Sequence, residues 1–182
     1  MKNPPQPIVA AGFVKERTIA VANVNKTLVE SVILREAAAG DEKIIGDFFD
    51  RMGGESRALF NRRDYNRRGV LKFCARPDPT RRYIIAERDG EMAGYFFFMD
   101  WNTMIPELGI AVRDDLAGQG LGTFLMSKAI EMARQSGKGG IRLTTHVANL
   151  RGQCLYESAG FTLCGTCKNG TEFFYLLNFK ED

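Results

Sequence analysis

Apolar positions recur along this chain at two periods, and the switch from one period to the other marks out its elements. Runs rich in β-branched and aromatic residues predict strands at Ser31–Glu36, Arg82–Glu87, Met92–Met99, Met104–Val112, Ile141–Val147, Phe161–Cys164 and Glu172–Asn178. Ile44, Ile45, Phe48 and Phe49 instead fall on one side of a helix. Asp41 stands where its N-cap belongs, and Gly53-Gly54 stands where it should end. A second helix is expected from Glu55 to about Arg68. A third begins at about Gly118 to Gly120, with Leu121, Phe124, Leu125, Ile130 and Ala133 along one face, and a fourth follows Asn149. Arg88-Asp89-Gly90-Glu91 and Lys168-Asn169-Gly170 supply hairpin turns. The order is β-α-α-β-β-β-α-β-α-β-β, a mixed α/β (α+β) sheet. The strand at 141–147, reached through a helix, should run parallel to the strand at 104–112.

The stretch Val112-Arg113-Asp114-Asp115-Leu116-Ala117-Gly118-Gln119-Gly120-Leu121-Gly122-Thr123 joins that strand to the third helix. Glycines at 118, 120 and 122 let a ligand approach the backbone, and the free amides of the helix's first turn attract an anion, most simply phosphate. The spacing G-x-G-x-G is not the dinucleotide fingerprint G-x-G-x-x-G, and the G-K-[ST] of a nucleoside triphosphate loop is missing. Further on, Asn149-Leu150-Arg151-Gly152-Gln153-Cys154-Leu155-Tyr156-Glu157-Ser158-Ala159-Gly160-Phe161 reads as a helix capped by Asn149 and ended by Gly160.

Both blocks, in this order, resemble the GNAT family of N-acetyltransferases. Residues 112–123 resemble its acyl-CoA signature, Q/R-x-x-G-x-G/A after a valine-ended strand, with Gly120 and Gly122 on the glycine positions. Residues 149–161 resemble its N-x-x-x-x-x-x-Y-E-x-x-G-F element. Ala117 departs from the pattern at the Gln/Arg position, so backbone amides must carry the pyrophosphate. The resemblance covers about residues 31–178. It implies a GNAT-like fold with acetyl-CoA as acyl donor, held by Ile110, Ala111, Val112, Ala117, Gly118, Gln119, Gly120, Leu121, Gly122, Thr123, Asn149 and Tyr156. It also implies that Val112 N–H faces the thioester oxygen and that Tyr156 protonates the departing sulfur.

Acyl transfer to an amine also needs a base. Glu107, five residues before Val112, is the first candidate, directly or through water, since strand glutamates of the family act near this place. Strand alternation leaves open whether it faces the cleft or solvent. His146, the single histidine, ends the neighbouring strand and has a suitable ordinary pKa. The resemblance implies that the acceptor is a primary amine of unspecified kind, attacking directly in a ternary complex. Two other readings stand beside this one: a silent acyl-CoA sensor, which has no need of Tyr156, and an RNA-binding or interaction protein using the basic stretch from Arg57 to Arg82.

Composition narrows these choices. The chain of 182 residues is 45% hydrophobic and 26% charged, as expected of one ordinary globular domain. A net charge of +3 does not call for nucleic acid, and none is expected as a partner. Arg57, Arg62, Arg63, Arg67 and Arg68 make the second helix basic, yet Glu55 and Asp64 are interspersed. In the resembled family this region walls the acceptor cleft, so it would suit an acidic acceptor or the adenine-side phosphates of CoA. Cys164 and Cys167 form a lone C-x-x-C with no second pair, which argues against zinc, and a disulfide framework is equally unsupported in a chain this long. Pro4, Pro5 and Pro7 precede the apolar N-terminal stretch and Lys15-Glu16-Arg17 interrupts it, unlike a signal peptide. With no run of about 18 apolar residues, no membrane span is expected, and the chain is read as cytoplasmic, monomer or homodimer. Residues 1–30 are read as an extension to a domain at 31–182, with β-branched content at 18–24 and 27–29 sufficient for a short strand.

Overall fold

The computed structural model describes residues 25–59 and 66–179. Strands β1 (Ile33–Glu36), β2 (Arg82–Arg88), β3 (Glu91–Met99), β4 (Glu107–Val112), β5 (Gly140–His146), β6 (Thr162–Cys167) and β7 (Glu172–Asn178) form one sheet in the order β1-β2-β3-β4-β5-β7-β6. Every pairing is antiparallel except β4 with β5, where the expected helical crossover occurs. The β2–β3 turn places Asp89 and Gly90 both at positive φ, which is why it carries Asp-Gly.

β3 lies inside the sheet between β2 and β4 and is apolar on both faces, so its alternate residues divide the core in two. Phe96 and Phe98 point to the face covered by α5 (Leu121–Gln135) and α6 (Leu150–Ser158), joining Leu108, Ile110, Leu121, Leu125, Ile141, Leu143 and Tyr156. Tyr95, Phe97 and Met99 point to the face covered by α2 (Glu42–Asp50) and α4 (Arg67–Ala75), joining Ile45, Phe48, Phe49, Val70 and Phe73. Each such side chain withdrawn from water contributes about 1.5–3 kcal/mol, which is what holds helices on both faces.

Four readings of the sequence need correction. Residues 27–29 are helical, not a strand: α1 (Lys26–Glu30) is capped by Asn25, whose side chain accepts from Leu28 N–H, and it buries Leu28 to 2% exposure against the α5 side of the core. Residues 18–24 lie outside the described residues. Asp41 precedes α2 without capping it, because its carboxylate is taken by Arg35 at 2.7 and 2.8 Å and by Ala38 N–H. The single helix expected over 55–68 is instead α3 (Gly54–Leu59), and a separate α4 opens at Arg67 under an Asn66 cap. Finally, β4 starts at Glu107 and not at Met104, because residues 100–105 form turns that deliver the chain to Pro106.

Candidate active site

β4 is paired with β3 along its whole length but with β5 only at Glu107↔Arg142. Beyond that point the two parallel strands no longer pair, leaving a gap in the sheet's hydrogen bonding on the Val112 side. The carbonyl of Pro106 accepts from Arg142 N–H at 3.0 Å, so it points toward β5. Main-chain groups two residues apart point the same way along a strand, so those of Leu108, Ile110 and Val112 face the gap. Those of Glu107, Gly109 and Ala111 face β3. Among the described residues the gap is thus lined by unpaired strand edge, of the kind that accepts an added extended chain.

The glycine loop continues from the open end. A 3₁₀ turn at Asp114–Leu116 brings the chain to Gly118 (φ 77°) and Gly120 (φ 89°), both left-handed, and Gly120 stands at the N-cap of α5. A Cβ at Gly118 would meet nothing within 4 Å, so the loop is open above this residue. None of the N–H groups from Gly118 to Thr123 reaches a backbone acceptor among the described residues. They stand at the positive end of a 15-residue helix dipole, a place suited to a diphosphate. Gly122 faces Leu155 of α6, with room for a Cβ in ordinary contact at 3.6 Å.

α6 lies across the gap. Asn149 caps it by accepting from Gly152 N–H at 3.1 Å, and its amide nitrogen donates to the Thr145 hydroxyl at 2.9 Å. One residue thereby joins the helix to the end of β5. Tyr156 is 8% exposed, with its ring against Tyr175 (5.7 Å) and Phe161 (6.2 Å). Burial pushes its phenol up to about 12, and hydrogen bonding with Thr145 offsets part of that rise. A phenol so placed is protonated at neutral pH.

Glu107 shares the sheet face of Gly109 and Ala111, which is the α2 and α4 side, opposite α5 and α6. It is partly buried, and its carboxylate lies 4.0 Å from the Arg142 guanidinium, which is also bound by Asp100 and by the Ile105 carbonyl. His146 is exposed at the end of β5 and its Nδ1 accepts from Ala148 N–H. Gln119, expected among the loop residues at the phosphates, turns its side chain outward to Asn25 and to the Asp115 carbonyl.

Three residues at the site had no signal in the sequence. Asp114 accepts from Gly53 N–H at 2.6 Å and from the Ser56 hydroxyl, fastening the glycine loop to the corner between α2 and α3. Thr145 and Asn25 contact site residues across the fold, and only the folded chain brings them near. Next to Asp114, Arg113 and Arg51 share Glu91, and their guanidinium groups, Arg51 foremost, hold its carboxyl down to about 2. Of the basic residues at 57–68, Arg57 donates to the C-terminal carbonyls of α2 and Arg67 pairs with Asp50, while Arg62 and Arg63 lie outside the described residues.

A sheet opened between two parallel strands, a helix N-terminus with free amides at the mouth, and a buried phenol across the gap are the architecture of acyl-CoA-dependent acyltransferases as a class. Residues 47–161 match the sequence profile of the acetyltransferase (GNAT) family, and this chain belongs to that family. It is 32% identical over 95 residues to a Bacillus subtilis protein provisionally named a [ribosomal protein bS18]-alanine N-acetyltransferase, covering 50% of this chain and 61% of that one. It is 30% identical over 96 residues to L-amino acid N-acyltransferase MnaT of Escherichia coli, covering 50% and 56%. The chain thus matches less than two thirds of these curated relatives' length. Among solved structures, the N-acetyltransferase Paia of Thermoplasma acidophilum in complex with coenzyme A shares the fold with TM-score 0.68 at 17% identity, over 82% of this chain and 99% of that one. The GNAT domain of S. lividans PAT does so with TM-score 0.69 at 16%, over 81% and 90%. No helix among the described residues is long and apolar enough to cross a membrane.

Proposed function

We propose that this chain transfers the acetyl group of acetyl-CoA to a primary amine by direct attack in a ternary complex. The observation that carries the reading is the β4–β5 gap opening onto the amides of Gly118 to Thr123. The main-chain groups of Ile110 and Val112 would pair with the amide groups of the pantetheine arm, and the loop amides, extending into α5 past Leu121, would take the diphosphate oxygens. Bound there, acetyl-CoA supplies an activated acyl group whose C–S bond breaks as the amine nitrogen forms its C–N bond. Val112 N–H donates to the carbonyl oxygen as charge gathers on it. Tyr156 gives its phenolic proton to the departing sulfur and regains one from solvent. Glu107 takes the proton leaving the amine, directly or through water, from the face that α2 and α4 cover.

Family membership supports the acyl donor, and the acceptor is the open term. Release of free thiol from acetyl-CoA, measured against a panel of amino acids, N-terminal peptides, polyamines and aminoglycosides, tests the proposal. Amine-dependent release with at least one member supports it. Binding of acetyl-CoA with no release across the panel would turn the reading to a silent acyl-CoA sensor.

A further inference from the structure

Ala117 removes the side chain that the resembled signature places at the start of the glycine loop, and the structure contains a brace from another quarter. Asn25 N–H donates to the Gln119 carbonyl at 2.9 Å, and its side-chain amide donates to Gln119 Oε1 at 3.3 Å. Gln119 Nε2 then donates to the Asp115 carbonyl at 3.1 Å, closing a ring of contacts around the loop's outer side. Asn25 is itself held: its Oδ1 accepts from Leu28 N–H, and Leu28 is buried in the core beside α5. The loop is therefore clamped between two anchors, α1 on the Gln119 side and Asp114 on the α2–α3 side.

We propose that Asn25 is a positioning residue for the diphosphate loop, clasping Gln119 so that the loop from Gly118 to Thr123 is already ordered before ligand arrives. A flexible glycine loop must be ordered on binding, and that ordering cost subtracts from affinity. A clasp formed beforehand in the free protein removes part of that cost. The inference rests on the acyl-CoA reading of this loop.

Asn25→Ser keeps a good N-cap for α1 and the main-chain bond to the Gln119 carbonyl but is too short to reach Gln119 Oε1, so it removes the side-chain half of the clasp alone. Two measurements on the full chain decide the matter. Calorimetric titration with coenzyme A should show affinity falling about three- to tenfold in Asn25→Ser and in Gln119→Ala, with the double variant no worse than Gln119→Ala alone. Amide exchange in the ligand-free protein should be faster at residues 118–122 in Asn25→Ser, with protection in β3 unchanged. Unchanged exchange in the loop overturns the contribution of the Asn25 side chain, and with it the assignment of Asn25 as a positioning residue. Faster exchange with parent-like affinity overturns its part in binding. Failure of the parent to bind coenzyme A would overturn the acyl-CoA reading, and with it the clasp's part in binding. The exchange data would still show whether Asn25 orders the loop.

Discussion

At the scale of single residues, Tyr156 combines two roles that one substitution separates. Its ring fills space against Phe161 and Tyr175, whereas its hydroxyl meets Thr145 beside the gap. Tyr156→Phe keeps the first and deletes the second, so stability should change by no more than about 1 kcal/mol. Affinity for acetyl-CoA should stay near that of the parent while turnover falls roughly 10- to 1000-fold. Parent-like thiol release from the variant would reduce Tyr156 to a packing residue. With its phenol held at about 12, Tyr156 stays protonated through pH 10, so it should impose no falling limb on kcat below that pH. Stability shows the same shift. Burial raises Tyr156, Tyr175 and Tyr95 above the ordinary value near 10, so their contribution is complete below about pH 10 and is lost as pH rises beyond it. The buried Cys74 thiol, which burial pushes up from 9 to about 11, begins the same loss about one pH unit earlier, so urea midpoints should be level from pH 7 to 8.5 and decline above; a midpoint still level at pH 11 would contradict these burials. Glu107→Gln tests the base. Turnover should drop roughly 10- to 100-fold near neutrality, and the deficit should narrow as pH approaches the acceptor amine's own pKa, where no base is needed. A deficit independent of pH would assign Glu107 to binding.

At the scale of elements, β4 shows what a sequence pattern conveys and what it conceals. Its apolar run between Glu107 and Val112 was legible as a strand, and the helical crossover to β5 was legible as parallel pairing. The separation of the two strands was not, because no residue of either encodes it locally. Each strand instead takes its full register from its antiparallel neighbour, β4 from β3 and β5 from β7, contacts distant in sequence. α4 escaped detection because Arg67, Arg68 and Gly69 open it with weak helical patterning, and its identity comes from Val70, Phe73 and Cys74 meeting α2 and β3. The turn chemistry at Asp89-Gly90, the Asn149 cap and the Gly120 start of α5 are local, and all three were readable from residue type alone. Gly109 lies between these cases. It reads as a blemish in a strand, yet a Cβ there would come within 1.9 Å of the Phe97 ring, which crosses the strand directly over it. Phe97 is fully buried and cannot retreat. Gly109→Ala should therefore destabilise by about 1–3 kcal/mol and displace Ala111 and the gap edge with it. A variant as stable as the parent by chemical denaturation would show that the core yields more readily than its packing implies.

At the scale of the whole molecule, the anchors that converge on the glycine loop link ligand binding to global stability. α1 holds the loop through Asn25, the α2–α3 corner holds it through Asp114, and α5 carries its amides while packing on β3 and β4. A ligand on those amides therefore binds an assembly of distant segments that exists only in the folded chain. Acetyl-CoA at 100 times its dissociation constant should add about 2.7 kcal/mol, which for a chain of this size raises the melting temperature by roughly 5–10 °C. The increment should grow with the logarithm of concentration. Gly120→Glu should abolish it, because the residue sits at φ 89°, which disfavours any side chain, and the new carboxylate would occupy the place of the diphosphate at the same helix N-terminus. That variant should itself melt lower by an amount worth about 1–2 kcal/mol from the strained backbone, so the comparison is between its curves with and without ligand. A parent protein whose melting temperature is unmoved by millimolar acetyl-CoA would remove the donor from the proposal. A Gly120→Glu protein still stabilised as fully as the parent would move the diphosphate away from this loop.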